Sequence, residues 1–113
     1  MNSNKNILGN DLAPCRDSHE STGYTRNNYC EHHPLDTGNH YVCAVMDKAF
    51  LDYTGRQGNP LRSVVSEGEN WCLCESRWKQ ANDRGVAPRV LQNATNSLTS
   101  NDITSQITKH RKH

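Results

Sequence analysis

The sequence predicts a small α+β (or small α/β) domain, in which a single layer of about three strands packs against two to three helices. Three observations predict this fold. The length of 113 residues and an apolar share of 33% fit one domain with a thin core. Short runs rich in β-formers alternate with stretches of helical spacing. A loop-like N-terminal stretch with few apolar residues predicts a long arm that wraps around the rest.

The strand-and-helix pattern sets the expected boundaries of the domain. We expect a flexible tail at residues 1–5, one domain at residues 6–107 and a basic solvated tail at residues 108–113. The chain contains no internal repeat that would divide the domain further.

The first predicted strand covers residues 40–45, the run HYVCAV. This run is short, rich in β-formers and preceded by Gly38. Asp47 follows as a good helix N-cap, and Phe50 begins the apolar positions of the helix after it. Gly55 is a plausible end for that helix.

The second strand is predicted at residues 71–74, the run WCLC, which also fits the first turn of a helix. A helix should follow over residues 75–84, with Trp78 on its buried face and Gly85 at its end. We expect Trp71 and Trp78 to be core residues.

The remaining elements are weaker in the sequence. Pro88 should restart an extended piece over residues 89–94, the third strand of the predicted layer. Leu98, Ile103 and Ile107 predict a short C-terminal helix with a narrow apolar stripe, which a Ser or Asn just before it would cap.

Charge and hydropathy exclude several classes of protein. The net charge of +1 gives no reason to expect a nucleic acid partner. No run approaches the roughly 20 apolar residues of a membrane span, so we expect no membrane partner. No secretory signal is visible at the N-terminus, which predicts a cytoplasmic location. The oligomeric state and any cofactor are left open by the sequence.

The five cysteines form a candidate thiol cluster. Its members are Cys15, Cys30, Cys43, Cys72 and Cys74. Their odd number argues against a disulfide framework, and we expect reduced, buried thiols. Buried packing is the simplest interpretation, because free cysteine is among the most buried residue types. The cluster has two chemical alternatives.

The first alternative is a metal site made by Cys43, Cys72, Cys74 and His40, with His32 or His33 as other ligands. It is disfavoured because the one close cysteine pair has C-x-C rather than C-x-x-C spacing. The second alternative is redox chemistry at Cys74, which should lie at a helix start, where the dipole favours a thiolate.

Two further polar features are candidate binding groups. Asp36 and His40 flank a turn and could act as a general base or contact a ligand, although an aspartate before a glycine-containing turn is also ordinary turn chemistry. Arg77 lies between Trp71 and Trp78, where its guanidinium could stack on indole and bind a carboxylate or phosphate. Arg77 could equally be a surface residue whose stem covers Trp78.

Four motifs together resemble one known family, the domain of unknown function 2237 family of short, mostly bacterial proteins. They are LAPC at 12–15, TGY at 22–24, HYVCA at 40–44 and WCLCESRW at 71–78. The stretches at 85–88 and 94–95 fit the downstream pattern. This chain has a shorter loop before residue 71, and it carries Asn96 and Ser97 where the family commonly has His and Glu.

The resemblance implies no established activity. It implies only that eight residues occupy family motif positions: Asp36, His40, Cys43, Trp71, Cys72, Cys74, Arg77 and Trp78.

The sequence therefore leaves three functional hypotheses. The first is a non-enzymatic module that binds a small polar or anionic ligand between the arm and the sheet. Its candidate ligand-binding residues are Asp36, His40, Arg77 and Trp71. The second hypothesis is a thiol-based enzyme or redox sensor that uses Cys72 or Cys74. The third is the thiolate zinc site.

Overall fold

A computed structural model gives the structure of the protein for residues 4–16 and 28–109. Its strands are β1 (Val42–Val45) and β2 (Asn70–Leu73), and its helices are α1 (Lys48–Arg56), α2 (Glu75–Asp83) and α3 (Asn101–Lys109). Short 3₁₀ turns lie at Leu61–Ser63 and Gln92–Ala94. Three helices with a two-stranded antiparallel sheet confirm the predicted α+β class.

The antiparallel pairing of β1 with β2 organises the centre of the molecule. Its register places Val42 opposite Leu73 and Cys43 opposite Cys72. Both strands are almost wholly buried. The two predicted strands therefore form. The first is shorter than the predicted run at residues 40–45, and the second has the predicted length but begins one residue earlier than expected.

The predicted third strand at residues 89–94 is wrong as a full strand. It makes one isolated bridge, between Ala44 and Val90, on the edge of β1. Backbone hydrogen bonds flank this bridge, and one of them runs from the Leu91 N–H to the carbonyl of Cys43 at 2.8 Å. The Ala94 N–H then bonds back to the Leu91 carbonyl, and this 3₁₀ turn carries the chain away from the sheet.

Helix α1 begins as predicted at Asp47, whose side chain accepts a hydrogen bond from the Phe50 N–H at 2.9 Å. Phe50 and Leu51 are buried in the same core cluster as the strand residues Val42 and Leu73. The helix runs past the predicted stop at Gly55, and the chain reverses at Gly58, which has a φ of +89°. Only glycine adopts that left-handed conformation without steric cost.

Both tryptophans lie in the core, as predicted, with Trp71 7% and Trp78 0% exposed. The Trp78 indole N–H donates to the carbonyl of Pro88 at 3.1 Å, which satisfies its one polar atom. The core cluster consists of Val42, Ala44, Met46, Phe50, Leu51, Tyr53, Val65, Trp71, Leu73, Trp78, Ala81, Ala87, Ile103 and Ile107.

Helix α3 packs on this core through Ile103 and Ile107, both buried. Leu98 does not belong to that stripe, contrary to the sequence expectation, and is 56% exposed. It lies before the helix in a turn, where its N–H bonds to the side chain of Asn96 at 2.9 Å.

The described part of the N-terminal segment, residues 4–16, lies against residues 93–97. The Ile7 N–H donates to the backbone carbonyl of Thr95 at 3.0 Å, and the Ala13 N–H donates to the backbone carbonyl of Asn93 at 2.9 Å. These hydrogen bonds tie the segment to the stretch that precedes α3.

Parts of the predicted arm and tails, residues 1–3, 17–27 and 110–113, lie outside the described residues. The predicted domain boundaries therefore stay a prediction. Across residues 4–16 and 28–109, every helix is too short and too polar to cross a membrane.

Truncating Trp78 to alanine should destabilise the protein by roughly 3–5 kcal/mol, because it opens a cavity in the centre of a thin core. Urea unfolding of Trp78→Ala measures this loss. Leu98→Ala is the matched surface control and should change stability by no more than about 0.5 kcal/mol. An unchanged midpoint for Trp78→Ala would remove Trp78 from the core.

Candidate functional site

Four of the five cysteines form two disulfides, Cys15–Cys43 and Cys30–Cys72. The expectation of five reduced thiols is therefore wrong for this structure. The reason is the strand register, because Cys43 and Cys72 lie directly opposite each other and so share one face of the sheet. Cys15 and Cys30 reach that face from the N-terminal part of the chain. The odd number of cysteines was a misleading argument against disulfides, because four cysteines pair and the fifth stays free.

That free cysteine, Cys74, contacts a histidine instead of another cysteine. Its Sγ lies 3.2 Å from His40 Nε2. The other ring nitrogen, His40 Nδ1, lies 2.7 Å from Asp36 Oδ1, and the His40 backbone N–H donates to Asp36 Oδ2 at 2.9 Å. A thiol, an imidazole and a carboxylate are thus aligned in a chain of hydrogen bonds, which is the arrangement of an activated nucleophile.

The strand pairing explains why these residues meet. Extending the register beyond the Val42–Leu73 pair places Tyr41 opposite Cys74, with His40 one residue further on. Residues just before β1 therefore lie beside residues just after β2. Asp36 reaches the same place through a tight turn in which Asn39, at a φ of 50°, donates its N–H back to the Asp36 carbonyl at 3.3 Å.

Gly38 leaves the space in which the thiol and the imidazole meet. A Cβ at this position would lie 2.9 Å from Cys74 Sγ and 3.2 Å from His40 Cε1. The first separation is shorter than a real Cβ contact tolerates, so any larger residue must displace the sulfur or the ring.

The electrostatics of the site favour a charged imidazole. The hydrogen bond with Cys74 is the main cause that raises the pKa of His40 to about 9; burial opposes the rise, and Asp36 adds to it. Burial alone would raise the pKa of Asp36, but hydrogen bonds from His40 and from the Gly38 N–H outweigh it and hold that pKa below 3.8. Protonated His40 therefore stabilises the folded chain fully below pH 6.5, and this contribution is lost as the pH rises through about 9.

Helix α2 adds its positive end to the site. Cys74 is the N-cap of this nine-residue helix, and its carbonyl accepts the N–H of Arg77 at 3.0 Å. The positive end of the helix dipole and the His40 ring both lie next to Cys74. Cys74 is partly exposed and the His40 side chain is 33% exposed, whereas the Asp36 side chain is 1% exposed. The thiol and imidazole residues are therefore partly accessible to solvent, while the carboxylate behind the imidazole is shielded from water.

A second carboxylate, Glu75, holds the surroundings of the site together. Its oxygens accept the Asn39 amide at 2.9 Å and the Ser100 N–H at 2.9 Å. Glu75 thereby joins the turn before β1 to the start of α3. Burial, with help from the charges of Asp36 and Glu75, raises the pKa of the neighbouring Tyr41.

The ligand-binding set predicted from the sequence is brought together in part. Asp36 and His40 meet, but their common neighbour is Cys74. The Arg77 guanidinium directs hydrogen bonds to the Gln57 carbonyl at 3.2 Å and to the side chain of Gln80. Trp71 is buried in the core and presents no open indole face to a ligand.

The metal set considered from the sequence, Cys43, Cys72, Cys74 and His40, is divided between two places. Cys43 and Cys72 are each bonded in a disulfide, whereas Cys74 contacts His40. This group therefore cannot act as four thiolate and imidazole ligands in the structure.

Sequence reasoning grouped Cys74 with His40 only as candidate metal ligands and did not connect Cys74 with the Asp36–His40 pair. The signal that joins them is the antiparallel register, which a sequence of two ambiguous strands does not fix. Sequence reasoning also missed Glu75, whose role depends on contacts with the distant start of α3.

A cavity of about 350 Å³ lies elsewhere, between α1 and the 3₁₀ turn that follows it. It is lined by Leu51, Asp52, Gly55, Arg56, Pro60, Leu61 and Arg62. None of the candidate binding, thiol or metal residues predicted from the sequence lines it. Of the two arginines that line the cavity, Arg62 forms an ion pair with Asp52 at 2.7 Å. Arg56 forms no ion pair with any of the described residues.

A comparison with protein families matches residues 5–111 to the family described as an uncharacterised protein conserved in bacteria (DUF2237). A search of curated proteins finds no match.

Replacing Gly38 with alanine should slow the alkylation of Cys74 by iodoacetamide, because the new Cβ displaces the sulfur from the imidazole. Gly55→Ala is the matched control, since a Cβ there meets nothing within 4 Å and suits a helix. Alkylation rates, followed by mass spectrometry of intact protein, measure the effect. Equal rates in the two variants would show that the contact does not govern reactivity.

Proposed function

The chain belongs to the DUF2237 family of bacterial proteins, and from its site we propose that it is a thiol-dependent enzyme. Cys74 is the nucleophile, His40 is the acid and base, and Asp36 is the residue that positions His40. The single observation that carries this proposal is the continuous chain from Cys74 Sγ through both ring nitrogens of His40 to Asp36.

Each residue has a role that follows from its contacts. The Asp36 carboxylate accepts the Nδ1–H of His40, which fixes the ring and directs Nε2 at the sulfur. Cys74 Sγ and His40 Nε2 share one proton, and when the ring holds it the pair is a thiolate beside an imidazolium. The buried charge of Asp36 stabilises that imidazolium.

The chemistry best matched to this arrangement is acyl transfer. The thiolate attacks a carbonyl carbon, and the electron pair of the broken bond leaves with the alcohol or amine, which takes the proton from His40 Nε2. Water then attacks the thioester carbon as His40 accepts its proton, and the acid and the free thiol are released. In the first turn of α2, the Glu75 N–H donates to the Asn39 carbonyl and the Arg77 N–H to the Cys74 carbonyl. The Ser76 N–H, which has no hydrogen-bond partner among the described residues, is the donor of this turn that can stabilise the carbonyl oxyanion.

We propose small polar or anionic acyl compounds as the substrates. Cys74 and the His40 side chain are both partly exposed, and the charged groups around them suit a polar substrate better than an apolar one. A cytoplasmic location belongs to the same proposal, because a reducing compartment keeps a partly exposed catalytic thiol free. The two disulfides would persist there because their sulfurs are buried away from reductants.

A non-enzymatic binding module is the second candidate function. The observation that favours it is the cavity beside Arg56 and Arg62, which has the volume of a small-molecule site. Anion binding at this cavity would be lost in Arg56→Glu and would persist in Cys74→Ser. Those two variants therefore separate the candidate functions.

An activated ester should acylate Cys74 rapidly. We expect p-nitrophenyl acetate to give a burst of nitrophenol and one acetyl group per chain, located on Cys74 by peptide mass spectrometry. Replacement of His40 by glutamine should lower the burst rate by about 100-fold or more, because general acid–base catalysis contributes at least that much. Asp36→Asn should lower it less, since the imidazole stays in place.

Cys74→Ser is the control for attachment at any other residue, and free N-acetylcysteine at the same pH is the control for intrinsic thiol reactivity. Acylation of Cys74 no faster than that of N-acetylcysteine, or unaffected by His40→Gln, would contradict the proposed function.

A further inference from the structure

The two disulfides are neighbours in the interior of the protein. The sulfurs of Cys15, Cys30 and Cys43 all lie within 4.8 Å of one another, and these residues are 2%, 0% and 0% exposed. Cys72 completes the group, because it is bonded to Cys30 and lies opposite Cys43 in the sheet. We name Cys15, Cys30, Cys43 and Cys72 the four-cysteine group.

We propose that the reduced protein binds one zinc ion through the four-cysteine group, so that this interior site alternates between two disulfides and a zinc thiolate centre. Zinc takes four thiolates tetrahedrally at about 2.3 Å, which places the sulfurs about 3.8 Å apart. Three of the sulfurs already lie within 4.8 Å, so side-chain rotation supplies the remaining adjustment. The buried, all-sulfur environment selects a soft or borderline metal over magnesium or calcium.

The backbone that carries these cysteines is held by contacts that do not involve sulfur. The Cys43 N–H donates to Thr95 Oγ1 at 3.1 Å, and the Cys15 carbonyl accepts the amide of Asn70 at 2.8 Å. Cys43 and Cys72 are further fixed by the strand pairing. Reduction of the disulfides therefore leaves the ligand positions supported by hydrogen bonds, as a preformed metal site requires.

A cation is available next to the group. Arg16 follows Cys15, and its side chain is 5% exposed with Nη2 3.2 Å from Glu69. Its Nη1 is buried with no hydrogen-bond partner among the residues that the structure describes. A zinc ion with four thiolates carries a net charge of −2, and the guanidinium of the residue that follows Cys15 is the cation nearest to the group in the sequence that could offset part of that charge.

The change between the two forms is balanced. A dithiol or phosphine reductant supplies four electrons and solvent supplies four protons, which breaks both S–S bonds and gives four thiols. Zinc binding then releases those four protons as the thiols become ligands. Oxidation of the four thiolates by a disulfide or peroxide reverses the change and expels the metal.

The test measures zinc on the whole chain. Protein reduced anaerobically with a phosphine is given zinc, freed of excess metal by gel filtration and assayed by elemental mass spectrometry. We expect one zinc per chain after reduction and none in the disulfide form. Cobalt in place of zinc should give the intense absorption of a tetrahedral, all-thiolate site.

Variants locate the site. Cys30→Ser should weaken zinc binding by at least about tenfold, since even groups that only support ligands contribute that much. Cys74→Ser and His40→Gln should bind zinc as the natural chain does. These last two variants keep both disulfide pairs, so they decide the question even if Cys30→Ser fails to fold.

Three results would overturn the proposal. The reduced chain could retain no zinc, Cys30→Ser could bind it with unchanged affinity, or binding could be lost in Cys74→Ser or His40→Gln. The last result would place the metal at the Cys74–His40 pair, outside the four-cysteine group.

Discussion

The register of the β1–β2 pair is the constraint on which the rest of this structure depends. With Val42 opposite Leu73, Cys43 meets Cys72 on one face, and the residues just before β1 meet those just after β2. The first consequence brings two buried disulfides together, and the second brings His40 to Cys74. A slip of one residue would turn each cysteine to the opposite face and separate both groups.

The two groups of cysteines have different environments and therefore different chemistry. The four-cysteine group is buried and supported by the N-terminal segment and by residues near the end of the chain. Cys74 is partly exposed, next to an imidazole and at the positive end of a helix. Burial protects sulfur from reagents, whereas exposure beside a cation activates it. One short stretch, residues 72–74, thus carries a structural sulfur and a reactive one two positions apart.

Local signals in the sequence predicted the fold well where a single residue type decides the structure. Asp47 caps α1 because its carboxylate accepts a hydrogen bond from the Phe50 N–H. Trp78 is buried because its large apolar ring lies on the core-facing side of the helix that follows β2. The prediction of a third strand was wrong because a 3₁₀ turn replaces strand pairing after Leu91. No residue type in this stretch is a sequence signal for that turn.

The candidate site was predictable only in pieces. Asp36 and His40 stood out as a turn pair, and Cys74 stood out as a cysteine at a helix start. Their meeting depends on contacts between residues 34 or more positions apart, which sequence spacing does not reveal. The disulfides were missed for the same reason, because pairing follows from the register and an odd count says nothing about which cysteine stays free.

The most direct measurement of the central claim is an NMR titration of the His40 ring in the natural chain and in Cys74→Ser. The hydrogen bond with Cys74 is the largest cause of the raised pKa, so we expect His40 to titrate near pH 9 in the natural chain. In Cys74→Ser its pKa should fall towards the ordinary 6.5. Titration of His40 near 6.5 in both proteins would contradict a thiol and imidazole coupled as the reactive pair.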